Sequence, residues 1–97
     1  MKILNYLFDG PFTLGTTFNN VAGIYIVCTE ISFLDVGQTE KLGERLNGEN
    51  HDRKQNWIKN SNTLPIYLWF HHETNLNLRL AKEKLIRNHL RPICGAR

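Results

Sequence analysis

The sequence predicts an α/β fold built on an antiparallel sheet, and three observations predict it. Two runs rich in β-branched and aromatic residues, Ile24–Cys28 and Ile31–Val36, flank the short polar break Thr29-Glu30, which is the pattern of a hairpin. A third run, Ile66–Phe70, follows Pro65, and a strand tolerates proline at its start because no N–H is required there. Between and after these runs lie stretches with helical character, bounded by helix start and stop residues.

Taken in order, residues 2–8 read as a short strand, Asp9-Gly10-Pro11 as a turn, and the polar stretch 13–21 as a loop leading into the hairpin. The second hairpin run closes on Gly37. Thr39 is the expected N-cap of a helix that starts near Glu40 and fades at Asn47-Gly48. A second helical stretch, residues 51–59, has Trp57 and Ile58 as its strong apolar anchors and breaks at Asn60-Ser61-Asn62-Thr63. Thr74 is the expected cap of a last helix over roughly 75–89, which stops before Pro92. The order β-β-α-α-β-α gives a small α/β sandwich, an antiparallel sheet of three main strands flanked by helices. Neither repeats nor low-complexity segments interrupt it.

With 97 residues, 41% of them hydrophobic, the chain suits one globular domain over 1–97. No apolar window is long enough to cross a membrane, and the N-terminal stretch lacks the cleavage site of a signal peptide, so no membrane partner and a cytoplasmic location are expected. Cys28 and Cys94 have no zinc-ligand spacing; free thiols are favoured, with a disulfide left open. The net charge of +3 hides a split: residues 1–52 carry −4 and residues 53–97 carry +7. A basic half favours a polyanionic partner, because neutralised phosphates release counterions; a solvated basic helix face accounts for the same charge.

Three side chains draw chemical interest. Glu83 falls within a helical stripe of Leu76, Leu80, Ile86 and Leu90, where a carboxylate needs an ion pair, hydrogen bonds or a metal. Arg79 and Arg87, one turn away on either side, are the expected structural partners. The other helix face, Leu78, Ala81 and Leu85, suggests that the helix is covered on two sides. Arg45 is either a solvated helix charge or a fixed guanidinium that binds phosphate. Tyr25 lies between Ile24 and Ile26 in a strand and is either core or site. His71-His72-Glu73 is a poor chelate, since adjacent strand residues point to opposite faces.

Gly23-Ile24-Tyr25, then Asp35-Val36-Gly37, then Arg45, Glu83 within a helix, and Pro92-Ile93-Cys94-Gly95 together resemble the GIY-YIG nuclease superfamily in order and spacing. The resemblance covers residues 22–95. It implies a metal-dependent endonuclease that hydrolyses phosphodiester bonds in DNA, with Glu83 holding Mg²⁺ or Mn²⁺ and Arg45 stabilising charge on the phosphate. It implies that Tyr25 orients or deprotonates the attacking water and that His51 acts as general base or acid. Asp35 stands where the family has a second tyrosine, and beside a metal it is an extra ligand or a proton acceptor. Gly95 stands where the family has asparagine. Gly37 leaves room for an approaching phosphate, and Lys41, Arg53 and Lys54, with Arg79, Arg87 and Arg91, are candidates to track the nucleic-acid backbone. Two rival readings stay open: a catalytically decayed nucleic-acid-binding module on the same fold, and a protein-interaction domain.

Overall fold

Strand β4 (Gly23–Cys28) lies inside the sheet, and all six of its residues are buried. That double-sided burial is why its sequence is a continuous apolar run rather than an alternating one. The computed structural model describes residues 1–47 and 52–94. In it β4 pairs antiparallel with β5 (Phe33–Thr39) on one side and β6 (Tyr67–His72) on the other. A further strand, β3 (Asp9–Thr13), joins β6, so the order is β3-β6-β4-β5, with β3 and β5 outermost.

The antiparallel register sorts the sheet into two faces. Tyr25 pairs with Gly37 and Phe70, and Val27 with Asp35 and Leu68. This face packs with α1 (Leu42–Asn47) and α2 (Asp52–Asn60) through Leu42, Leu46 and Trp57. The opposite face, with Ile24, Ile26 and Val36, packs against Ile86 and Leu90 of α3 (Leu76–Leu90). Ile3 and Tyr6 of a small N-terminal hairpin, β1 (Lys2–Ile3) and β2 (Tyr6–Leu7), complete that layer. The fold is therefore α/β with antiparallel sheets and helices on both faces. No helix among the described residues is long and apolar enough to cross a membrane.

Several sequence expectations need correction. The main sheet has four strands, because Asp9-Gly10-Pro11 belongs to β3 rather than to a free turn. Residues 2–8 form a hairpin, turning at Leu4 and Asn5 with φ of 50° and 69°, rather than one strand. The second hairpin run starts at Phe33, while Ile31 sits in the turn and is 78% exposed. Asn75, not Thr74, caps α3, its side chain accepting from the Leu78 N–H at 3.0 Å. The buried face of α3 runs through Arg79 and Ile86; Leu76 and Leu80 are about half exposed, and the Leu78–Ala81–Leu85 face is open rather than covered. Cys28 and Cys94 are buried free thiols, and burial, the largest cause in each case, pushes both pKa values up.

Candidate active site along the outer strand

A bulge in β5 sets the geometry. Asp35 faces Val27 and Phe33 faces Cys28, which leaves Leu34 as the extra residue. A bulge bends its strand and re-aims nearby side chains. Leu34 consequently packs into the Trp57 layer, and Asp35 enters the same layer with no exposure at all.

Buried there, the Asp35 carboxylate is filled with donors. Arg53 of α2 grips it with two bonds, Nε to Oδ2 at 2.9 Å and Nη2 to Oδ1 at 2.7 Å. Trp57 Nε1, one turn further on, donates to Oδ2 at 2.8 Å, and the Val36 N–H donates to Oδ1 at 2.8 Å. Because β5 is the outer strand, Arg87 of α3 reaches the same oxygen past its edge, at 2.9 Å. Arg53 and Arg87 both donate to the Val36 carbonyl as well. The charge-assisted, bidentate pairing is strong and directional, and it ties α2, β5 and α3 together. Two guanidiniums around one carboxylate leave a surplus positive charge, with Arg53 27% and Arg87 13% exposed.

Arg53 also reports on its neighbours. Burial works against its charge, yet the Asp35 hydrogen bond and the surrounding electrostatics outweigh burial and hold its pKa above the ordinary value. Hydrogen bonds set the register of α3 against β5. Arg79 Nε donates to Gln38 Oε1 at 2.7 Å, and two turns later Arg87 reaches Val36 and Asp35. Glu83, one turn from each arginine, falls level with Gly37. Neither arginine is its ion-pair partner. Arg79 is instead buried on Gln38, the Glu73 and Thr74 carbonyls and Glu40. Among the described residues Glu83 accepts no hydrogen bond; it is half-buried in the wall of a groove.

Gly37 is required by Tyr25. A Cβ at position 37 would fall onto the Tyr25 ring, so the glycine makes room for the phenol. Tyr25 itself is fully buried against Trp57, with ring centroids 6.0 Å apart. Its hydroxyl accepts a long hydrogen bond, 3.4 Å, from Arg45 Nε. Arg45 is half-buried and lines a shallow groove with Thr39, Glu40, Lys41 and Glu44. Its guanidinium thus stands between the phenol and that groove.

The structure joins Tyr25 to Gly37 and Arg45, and Asp35 to Arg53, Trp57 and Arg87, while Glu83 lies on α3, which packs against the opposite face of the sheet from Tyr25. Lys41 lies beside Arg45 and pairs loosely with Glu44 at 3.9 Å. Lys54 turns away from the cluster and donates to the Leu46 carbonyl at the end of α1. His51 and Gly95 lie outside the described residues. Sequence reasoning saw Trp57 only as an apolar anchor and did not see that Arg87 shares the Asp35 carboxylate. His71 has a structural setting: Nδ1 donates to the Leu7 carbonyl at 2.8 Å, leaving Nε2 to accept from Lys82 at 3.0 Å.

No group of three or more His, Cys, Asp or Glu side chains is placed to hold a metal ion among the described residues. A single carboxylate still suits Mg²⁺, which keeps most of its waters and is commonly held by one or two carboxylates together with substrate phosphates. Glu83, unengaged and lining the groove, has that character. Comparison with models of protein families, with characterised proteins and with solved structures gives no match for this chain.

Proposed function

We propose that this chain is a metal-dependent endonuclease domain of the GIY-YIG type that hydrolyses phosphodiester bonds in DNA. The observation that carries this reading is the contact of motif residues at β5: the Tyr25 ring lies on Gly37 and Arg45 donates to the Tyr25 hydroxyl. The sequence resemblance supplies the reaction class. The basic half of the chain suits a polyanionic substrate.

Arg45, held by Tyr25, binds the scissile phosphate and offsets the negative charge that builds on its oxygens as water adds to phosphorus. Arg53 adds a second fixed cation. Asp35 has both oxygens occupied, so its part is to position Arg53 and Arg87 rather than to take a proton. Tyr25 lies behind Arg45 and orients it; the family resemblance gives His51 the task of accepting the proton of the attacking water. The water oxygen forms the new P–O bond, and the bond to the leaving sugar oxygen breaks. Glu83 is the residue that would hold Mg²⁺ or Mn²⁺, which when bound polarises the phosphate and eases departure of that oxygen.

A second reading, a non-catalytic nucleic-acid-binding module, is favoured by the complete burial of both Tyr25 and Asp35. Labelled duplex, single-stranded, nicked and branched DNAs, incubated with Mg²⁺ or Mn²⁺, separate the two. Cleavage that Glu83→Ala and Arg45→Ala each abolish is the expected outcome. Binding without cleavage selects the second reading, and cleavage that survives both substitutions rules out the site described.

A further inference from the structure

The groove that contains Glu83 continues along the C-terminal half of α3. It has a volume of about 730 Å³, and its walls carry Glu83, Lys84, Arg87 and Arg91 with Leu80 and Pro92. Three cations against one carboxylate make it strongly positive. Their situations differ. Arg87 is committed to Asp35, Val36 and the Cys94 carbonyl. Lys84 and Arg91 are exposed, and among the described residues no side-chain hydrogen bond or ion pair engages either.

Arg91 is notable for its backbone. It is the C-cap of α3, with φ 50° and ψ 62°, a left-handed conformation that glycine adopts with less strain. Basic residues at a helix C-terminus also offset the helix dipole, which accounts in part for Arg87 and Arg91. It does not account for Lys84, which stands before the last turn on the same groove.

We propose that this groove is a track for the phosphate backbone of a nucleic-acid strand, with Lys84 and Arg91 binding phosphates that flank the one held near Glu83. This rests on the nuclease reading for the identity of the polyanion. Among the described residues no aromatic side chain lines the groove, so bases find no stacking platform on them. The track therefore grips backbone without reading sequence.

The test measures binding in EDTA, where no cleavage intervenes. The probe is a labelled single-stranded oligodeoxynucleotide of about 12 nucleotides, within the usual span of such sites. Binding is titrated over a series of salt concentrations for the natural protein and for two double variants that lose the same charge. One is Lys84→Ala with Arg91→Gly, a change that suits the left-handed backbone. The other, Lys2→Ala with Lys59→Ala, removes exposed cations outside the groove. The groove variant is expected to bind several-fold more weakly. Its log affinity should depend less steeply on log salt, by about 1.4 for two lost contacts on a single strand. The control pair should leave that slope unchanged.

Equal losses in the two variants, or none in the groove variant, would overturn the proposal. Displacement of the probe by polyglutamate as readily as by unlabelled oligonucleotide of equal charge would overturn the assignment to nucleic acid. A protein that binds through the groove yet cleaves nothing keeps the track and loses the nuclease. Cleavage with unchanged binding in the groove variant does the reverse.

Discussion

The middle of β5 and α3 each carry a carboxylate, in opposite surroundings. Asp35 is sealed from solvent, and its two oxygens are shared among Arg53, Arg87, Trp57 and the Val36 N–H. Glu83 acts on Arg53 only through space and faces a groove. A carboxylate whose lone pairs are already filled has nothing left for a substrate or a metal. One that is half-buried and, among the described residues, unengaged does. The difference separates a structural acid from a candidate functional one more sharply than residue type does.

Three substitutions test that contrast, beginning with the largest effect. Asp35→Ala removes the carboxylate that two partly buried guanidiniums and the Trp57 N–H share, and should cost about 3–5 kcal/mol in urea unfolding. A domain of this size has only about 5–15 kcal/mol in total. A loss below about 1 kcal/mol would mean that the arginines find other partners and that the cluster is not the tie described. On the open side the sign changes. Arg91→Gly should stabilise the protein by about 1 kcal/mol, because glycine accepts the left-handed cap. A destabilisation there would show that the arginine side chain is engaged in the fold. Smallest of all, Glu83→Gln should change the unfolding free energy by no more than about 0.5 kcal/mol while abolishing cleavage. A loss of about 2 kcal/mol would make Glu83 a second counter-ion of Arg53, and the contrast with Asp35 would disappear.

What the sequence disclosed follows the range of the forces involved. β4, β6 and α3 are legible because an apolar run or a helical period is written into neighbouring residues. β3 is not, because Gly10-Pro11 carries a strong local turn signal, and only pairing with β6, more than fifty residues away, makes it a strand. Glu83 was expected at the centre of an apolar stripe, yet half-exposed Leu76 and Leu80 show that Arg79 and Ile86 define the buried face. An arginine on that face is allowed by Gln38, forty-one positions earlier, which no local pattern reveals. Asp35 is the same lesson for the site. Its departure from the motif was visible, but its partners at positions 53, 57 and 87 come from two other elements.

The outer strands of the sheet carry a further consequence. An outer strand offers unpaired N–H and C=O groups on which a strand of another molecule can form, the usual route to sheet-to-sheet aggregation. Here the two borders are closed by unrelated means. On β3, Pro11 has no N–H to offer, and the ladder slips between Asp9 and Phe12. On β5, Arg53 and Arg87 occupy the Val36 carbonyl that an incoming strand would need. The pair that holds Asp35 thereby shares in making the sheet finite with the Ile93 and Cys94 N–H groups, which donate to the Phe33 and Leu34 carbonyls of the same strand.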